Sequence, residues 1–302
     1  NKTTISLCVW MLALMIKPQA LLIAPVIAII LITDLIKKDT RKNTLKEIFI
    51  ALPAMFAIYA VISLPMKGGQ GFFYVFERML GTVGQYDYGS VNAANLFALA
   101  GGNFVESSKP FLFGTYKTLG WLFIGLITAI TAILYYRKKQ RKYVFLLGGL
   151  YLSSIFMLSH SMHERYFFPA VMLLLFAAII HNSRRLLSCY SALTAAAFLN
   201  IYLVLVFDQA SCNIPYIALA ICSILSIAAF VWLIVCAVYH YKGKADKPLK
   251  QNFCEFAPFA ERSMNAARQR LSFSPDKSRR LNKKDYILML AITVVYAAVA
   301  FI

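Results

Sequence analysis

Charge is scarce in this chain, and acidic charge is the scarcest. Only 15% of its 302 residues are charged, and 13 of them are Asp or Glu. With 60% hydrophobic residues and a mean hydropathy of +0.65, this balance excludes a water-soluble globular domain and points to a polytopic membrane protein. Cysteine chemistry is equally thin. Cys8, Cys189, Cys222 and Cys236 fall in apolar runs, Cys254 lies in a basic stretch, and Cys212 stands alone in a linker. No CxxC spacing occurs, so neither a disulfide framework nor a thiolate metal site is expected, and the thiols read as small apolar side chains. HExxH is absent too, and His181 and His240 are remote from His160 and His163. Those last two with Glu164 could in principle hold a divalent cation. A lone histidine is more often a hydrogen-bonded structural residue, and no cofactor is called for.

Long apolar runs are what the chain has in abundance. They cover residues 4–16, 20–36, 47–65, 115–136, 143–159, 167–182, 187–207, 215–239 and 285–302. Each is apolar all round rather than striped, as expected where lipid or other helices touch every face, and none shows the alternation of a membrane barrel. The expectation is an all-α protein with about nine transmembrane helices. The run 4–16 is short; Lys17-Pro18 is read as an outer turn between two helices, because proline disfavours helix in the residue before it. The chain opens on Asn1 and stops within an apolar run at Ile302, which reads as a piece of a longer polypeptide.

A net charge of +18 would suit a nucleic-acid binder, but its distribution does not. Basic residues collect in alternate loops: 37–46, 137–142, Arg184 and Arg185, and the stretch 240–284, which alone holds twelve. With Lys2 these loops carry 25 cations, against 6 at Lys17, Lys67, Arg78, Lys109, Lys117 and Arg165. That is a positive-inside pattern in a plasma (inner) membrane, so Lys17–Gln19, residues 66–114, residues 160–166 and residues 208–214 are expected outside the cytoplasm.

The unusual residues concentrate on that outer side. Residues 160–166 form a seven-residue linker between apolar runs and contain His163-Glu164-Arg165-Tyr166. Arg165 is thereby held near headgroup height, where its guanidinium suits a phosphate. His163 reads as a phosphate ligand or proton shuttle, or as a structural residue. In the longest outer segment Phe72, Phe73, Phe76, Met79, Leu80 and Val83 follow helical spacing, with Glu77 and Arg78 toward the other side, so an interfacial helix is expected. Further on, Ser90 is placed to cap a helix starting at Val91, on which Asn92 and Asn95 would share a face. The two amides would clamp a sugar or tie down the loop. Lys17-Pro18-Gln19 offers either a second cation or a snorkelling lysine.

Three of these segments carry a resemblance. Lys17-Pro18-Gln19-Ala20-Leu21-Leu22-Ile23-Ala24-Pro25, Ser90-Val91-Asn92-Ala93-Ala94-Asn95-Leu96 and Met162-His163-Glu164-Arg165-Tyr166-Phe167-Phe168-Pro169-Ala170 are similar to recurrent segments of bacterial GT-C glycosyltransferases. The nearest resemblance is to bacterial homologues of the mannosyltransferase that adds the second mannose of GPI anchors, over roughly residues 1–240. The resemblance implies transfer of a hexose, mannose by association, from a polyprenyl-phosphate donor to a saccharide, lipid or protein acceptor on the extracytoplasmic face. It implies that Arg165, Lys17 and His163 meet the donor phosphate, and that Gln19, Asn92, Asn95, Glu164 and Tyr166 line the cleft. Glu164 would position Arg165. The catalytic base of such enzymes lies in an early outer loop, which is expected upstream of Asn1; Glu77, Asp87, Glu106 and Asp208 match no base motif.

The stretch 240–284 mixes its cations with Phe253, Phe256, Phe259, Met264, Leu271 and Phe273, and reads as a cytoplasmic linker resting on anionic lipid rather than on nucleic acid. From Asp285 the chain resembles the start of a protein O-mannosyltransferase-type unit. Two other classes remain open at this point. A lipid-linked-saccharide flippase or other transporter would usually place charges in mid-span and show repeated spans, neither of which is seen here. An inactive GT-C-like scaffold subunit would share the motifs without the base.

Overall fold

The computed structural model describes residues 2–82, 85–138, 140–209 and 214–243. The linker and further unit expected over 244–302, together with Cys212, Cys254, Val83 and the side chain of Asp208, lie outside the described residues.

The body is a helical bundle, and the chain is a multi-pass membrane protein. Its helices are α1 (Lys2–Ile16), α2 (Ala24–Ile36), α3 (Lys38–Ser63), α4 (Tyr74–Thr82), α5 (Leu96–Leu99), α6 (Tyr116–Lys138), α7 (Val144–Leu158), α8 (Phe168–Ile180), α9 (Arg184–Gln209) and α10 (Tyr216–Tyr241). Among the described residues, six segments are long and apolar enough to cross a membrane: Pro18–Ile36, Lys38–Met66, Tyr116–Lys138, Arg141–Leu158, Arg184–Phe207 and Tyr216–Tyr241. The expected runs at 4–16 and 167–182 form helices of only 15 and 13 residues. At 1.5 Å per residue these reach about 20 Å, short of a hydrocarbon core of about 30 Å. The expected turn at Lys17 is present. Lys17 is extended, and Pro18–Ile23 forms a 3₁₀ turn that runs into α2.

Two sets of contacts fix which loops share an end. At the basic end Arg141 pairs with Asp34 at 2.8 Å, a ring nitrogen of His181 lies 3.1 Å from the Lys142 carbonyl, and Tyr241 donates to the Leu134 carbonyl at 3.0 Å. At the other end Gln19 donates to Tyr166 at 3.4 Å, Val91 donates to the Met162 carbonyl at 2.9 Å, and Tyr216 donates to the Leu99 carbonyl at 2.8 Å. Among the described residues, the basic loops thus gather at one end, and the segment between α3 and α6 covers the other.

Helix α7 is the centre of the bundle and buries eleven of its fifteen residues. Its small residues allow this. A Cβ on Gly149 would sit 2.8 Å from two side-chain carbons of Leu174 in α8, and one on Gly148 would sit 3.2 Å from Leu173. Bundles in lipid associate through such close approach, since apolar burial gives no advantage over lipid contact. Around α7 packs a core that includes Leu146, Tyr151, Phe156, Leu174, Leu186, Leu193 and Leu233. Helices α1 and α3 form a side layer with its own cluster, Met11, Leu14 and Tyr59. Glu47 of α3 is buried there and accepts from the Thr3 and Thr4 amides, which satisfies two of the free donors at the start of α1.

The segment between α3 and α6 departs from an all-helical reading. It includes α4, the single-turn α5 and a two-stranded hairpin, β1 (Pro110–Phe111) with β2 (Gly114–Thr115), plus isolated bridges such as Ser90 with Asn103. A helix is present in the expected stretch, α4, which starts at Tyr74. Phe72 and Phe76 pack on the ring of Tyr59 with centroids 5.3 and 4.8 Å away, and the Tyr59 hydroxyl donates to the Phe72 carbonyl at 2.6 Å. These contacts anchor α4 to α3.

Gly149→Ala should separate α7 from α8 and destabilise the purified protein by about 1–3 kcal/mol, read as a lowered thermal midpoint in detergent. Gly125→Ala in α6, where nothing lies within 4 Å of the added methyl, should leave the midpoint unchanged or raise it.

Candidate functional site at the loop end of the bundle

The tip between α7 and α8 is short, and both helices that lead to it are short. It is covered by the segment between α3 and α6. Ser159, His160 and His163 are buried, and Glu164–Phe167 forms a 3₁₀ turn running into α8, with Pro169 near its start. Strand-like bridges from Val91 and Asn92 to His163 lay the outer segment along this tip. Ser161 closes the same seam, donating both its amide and its hydroxyl to the Tyr88 carbonyl.

Residues 90–95 are not a helix, which corrects the expected cap and shared face. Ser90 is fully buried and donates to the Ala93 carbonyl. Asn92 adopts a left-handed backbone with φ 56°, a conformation that asparagine tolerates better than most residues. Its amide group and the side chain of Asn103 exchange hydrogen bonds, 2.7 Å from the Asn92 backbone and 3.1 Å between the side chains. Asn95 caps α5 instead, accepting from the Ala98 amide at 2.9 Å. Its Nδ2 donates to the Phe156 carbonyl at 3.1 Å and lies 3.4 Å from the Ser159 carbonyl, and the residue has no exposed surface. In this conformation Asn95 holds α5 to the end of α7 and presents no atom to a ligand.

Sequence reasoning missed Asn200 of α9. Its Nδ2 donates to the Asn92 carbonyl at 2.7 Å and its Oδ1 accepts from the Ala94 amide at 2.9 Å, with the side chain buried. This is a clamp that reads backbone, two residues apart. The available signal was an amide inside the apolar run 187–207, where a polar side chain needs a partner. Gly120 was also missed: a Cβ there would lie 2.2 Å from the ring of buried His160, so only glycine leaves room for that ring.

The segments around Lys17–Gln19, Tyr86–Asn92 and His163–Tyr166 meet at the tip. Tyr166 accepts from Gln19 at 3.4 Å and lies against His163, with centroids 5.0 Å apart; Tyr86 stands edge-on to His163 at 4.6 Å. Three buried polar atoms at the tip have no partner, Gln19 Oε1, His160 Nδ1 and His163 Nε2. Arg165 lies 3.8 Å from Glu164 and 5.9 Å from the centre of the Tyr166 ring, with half its side chain exposed. Lys17 is exposed and near enough for its charge to act on Glu164. Two cations therefore stand at the rim of a neutral polar set.

Protonation follows from this arrangement. Burial, with Arg165 adding to it, pulls His163 down to about 4 from its ordinary 6.5, so at neutral pH it is an uncharged imidazole that can offer a hydrogen bond but no positive charge. Burial pulls His160 down as well. Glu164 moves the other way: burial raises it, while local backbone amides, Arg165 and Lys17 partly restore its charged form. Asp87 is held below the usual carboxylate range by the hydroxyl of Ser107 and by Lys117, 3.2 Å away. That carboxylate is engaged in tying the outer segment to α6. Among the described residues no group of three or more His, Cys, Asp or Glu side chains could hold a metal ion.

Two outcomes are expected. Asn200→Ala leaves the Ala94 amide and the Asn92 carbonyl without their partners and should cost about 1–3 kcal/mol, seen as a lowered thermal midpoint and faster proteolysis within residues 85–95. His163 binds its proton more weakly in the folded state than in the unfolded one. Stability should therefore fall as pH drops from about 6.5 to about 4, and His163→Gln should flatten that part of the midpoint-against-pH curve.

Comparison with protein-family models, with curated proteins and with solved structures finds no match to this chain.

Proposed function

We propose that this chain is a membrane glycosyltransferase that moves a hexose, mannose in the first instance, from a polyprenyl-phosphate donor to a saccharide, lipid or protein acceptor. The transfer takes place at the loop end of the bundle, which we take as the extracytoplasmic side of the plasma membrane, an orientation that the distribution of basic residues supports. One observation carries the reading: Arg165 and Lys17 flank a partly buried neutral set, Gln19, His163 and Tyr166, assembled from segments 147 residues apart. Exposed cations suit the phosphate, and neutral partners with open hydrogen-bonding capacity suit the hydroxyls of a sugar. Neither group alone would distinguish a sugar phosphate from any other anion.

In the reaction the acceptor hydroxyl oxygen bonds to the anomeric carbon, and the bond from that carbon to the phosphate oxygen breaks. The departing lipid phosphate keeps the electron pair and gains negative charge at its bridging oxygen. Arg165, with Lys17, stabilises that charge, and the hydroxyl proton passes to a base. Glu164 orients the Arg165 guanidinium rather than acting as that base. His163 stays neutral and holds a sugar hydroxyl or phosphate oxygen by a hydrogen bond. Asn92 and Asn95 support the cleft through the backbone.

A carrier would be expected to place charge in mid-span. The buried carboxylates among the described residues of the spans, Asp34 and Glu47, both lie toward the basic end and both are partnered. The catalytic reading is therefore preferred.

Membranes containing the full-length protein, supplied with labelled polyprenyl-phosphate mannose and separately glucose, should transfer label from one donor. Arg165→Ala should lower that transfer about ten- to a hundredfold, as expected for loss of a charge-assisted contact to phosphate, and Arg165→Lys should restore part of it. Transfer that is unchanged in Arg165→Ala would overturn the assignment of this cluster. Donor bound and moved across the membrane without loss of its sugar would point to a carrier.

A further inference from the structure

At the opposite end of the molecule, the end that carries the basic loops, α2 and α6 leave an open groove of about 350 Å³ between them. That volume falls in the range of about 300–1,000 Å³ usual for small-molecule sites. Its walls are apolar, formed by Ile32 and Ile36 on one side and Ala132 and Ile133 on the other. Thr33 also borders it, but its hydroxyl is already turned back onto the Ile29 carbonyl at 2.7 Å, so it leaves the wall without an open polar group. The mouth is different in character. Tyr136 and Arg137 close the groove where α6 reaches its basic end. Arg137 is exposed and makes no hydrogen bond, ion pair or ring contact among the described residues.

The surrounding charges have one sign in effect. Asp34, next to Thr33, is buried and engaged by Arg141 at 2.8 Å, so it does not offset Arg137. Lys37 and Lys38 follow directly on α2, and Lys138, Arg141 and Lys142 follow on the other side; Asp39 is the one acidic residue among them that is exposed. An apolar channel within the span, with an unpartnered arginine at headgroup height, matches an anionic amphiphile with a hydrocarbon tail. The polyprenyl chain of the proposed donor is not that amphiphile, because its phosphate would have to sit at Arg165, at the far end of the bundle.

We infer that the groove between α2 and α6 is a binding site for an anionic glycerophospholipid, with an acyl chain against Ile32, Ile36, Ala132 and Ile133 and the headgroup phosphate on Arg137. The site is independent of the transferase reading and would exist in a carrier or a scaffold as well. Its selectivity comes from charge at the mouth, and its retention from the apolar walls. Anionic lipid at this place would tie α2 to α6 beside the Asp34–Arg141 pair.

The test is retention of lipid by the full-length protein, delipidated in detergent and exposed to phosphatidylglycerol or to phosphatidylcholine with the same acyl chains, read by native mass spectrometry. Wild type should keep phosphatidylglycerol several-fold more tightly. Arg137→Ala should bring the two lipids to within about twofold of each other, and Arg137→Lys should keep most of the preference, since a phosphate held at one point needs charge more than a fork. Ala132→Phe, which fills the channel and leaves the charge in place, should weaken retention of both. A preference for phosphatidylglycerol that survives Arg137→Ala would overturn the inference, as would retention indifferent to Ala132→Phe. Polyprenyl phosphate that displaces phosphatidylglycerol and depends on the same two residues would assign the groove to another ligand and equally overturn it.

Discussion

A backbone that leaves the helical state inside a membrane bundle must find every hydrogen-bond partner within the protein, because lipid offers none. The loop end of this protein is organised around that constraint. Residues 88–95 run across the buried α7–α8 tip without forming a helix or a regular sheet, and three asparagines serve them. Asn200 reaches from α9 to the Asn92 carbonyl and the Ala94 amide, Asn103 takes the Asn92 amide, and Asn95 reaches down to the end of α7. Asparagine suits the task because one side chain both donates and accepts, as an extended backbone neighbour would.

That clamp positions everything proposed for function. The segment it holds brings Tyr86 against His163, and the tip beneath it carries Arg165 and Tyr166. The outer segment covers the tip, and His160 and His163 are buried beneath it. Burial then sets the charges: His163 is kept neutral, Glu164 is held toward its protonated form, and Arg165 and Lys17 stand beside them as exposed cations. The same burial that makes the site polar and neutral inside leaves its positive charge at the rim.

The opposite end solves its charge differently. Asp34 pairs with Arg141, and Lys138 stacks over the rings of Tyr143 and Tyr241 at 5.8 and 5.0 Å. Arg185 covers Tyr239 at 3.8 Å. Some cations at this end are thus packed on aromatic faces or on a buried carboxylate, while Arg137 beside the α2–α6 groove has neither. Two ends of one bundle, one neutral within and cationic at its rim, the other densely basic, follow from a chain with more than twice as many basic as acidic residues.

Apolar run length and the grouping of basic residues determined, from sequence alone, that this is a helical multi-pass protein and which loops share an end. Both are local properties: a bilayer imposes one dimension on the chain, and composition within about twenty residues answers it. The cluster at Lys17, Gln19, His163, Glu164, Arg165 and Tyr166 was also legible, since each stands out as polar between apolar runs. Only the tertiary structure decided what Asn92 and Asn95 do, because their spacing suits a helix face while their hydrogen bonds run to α9 and α7, up to 108 residues away. It alone made His163 a neutral group, through burial that no local pattern encodes. It also set the lengths of α1 and α8, at 15 and 13 residues. Where helices stop depends on which polar atoms the neighbouring chain can satisfy, and that is set by packing across the bundle.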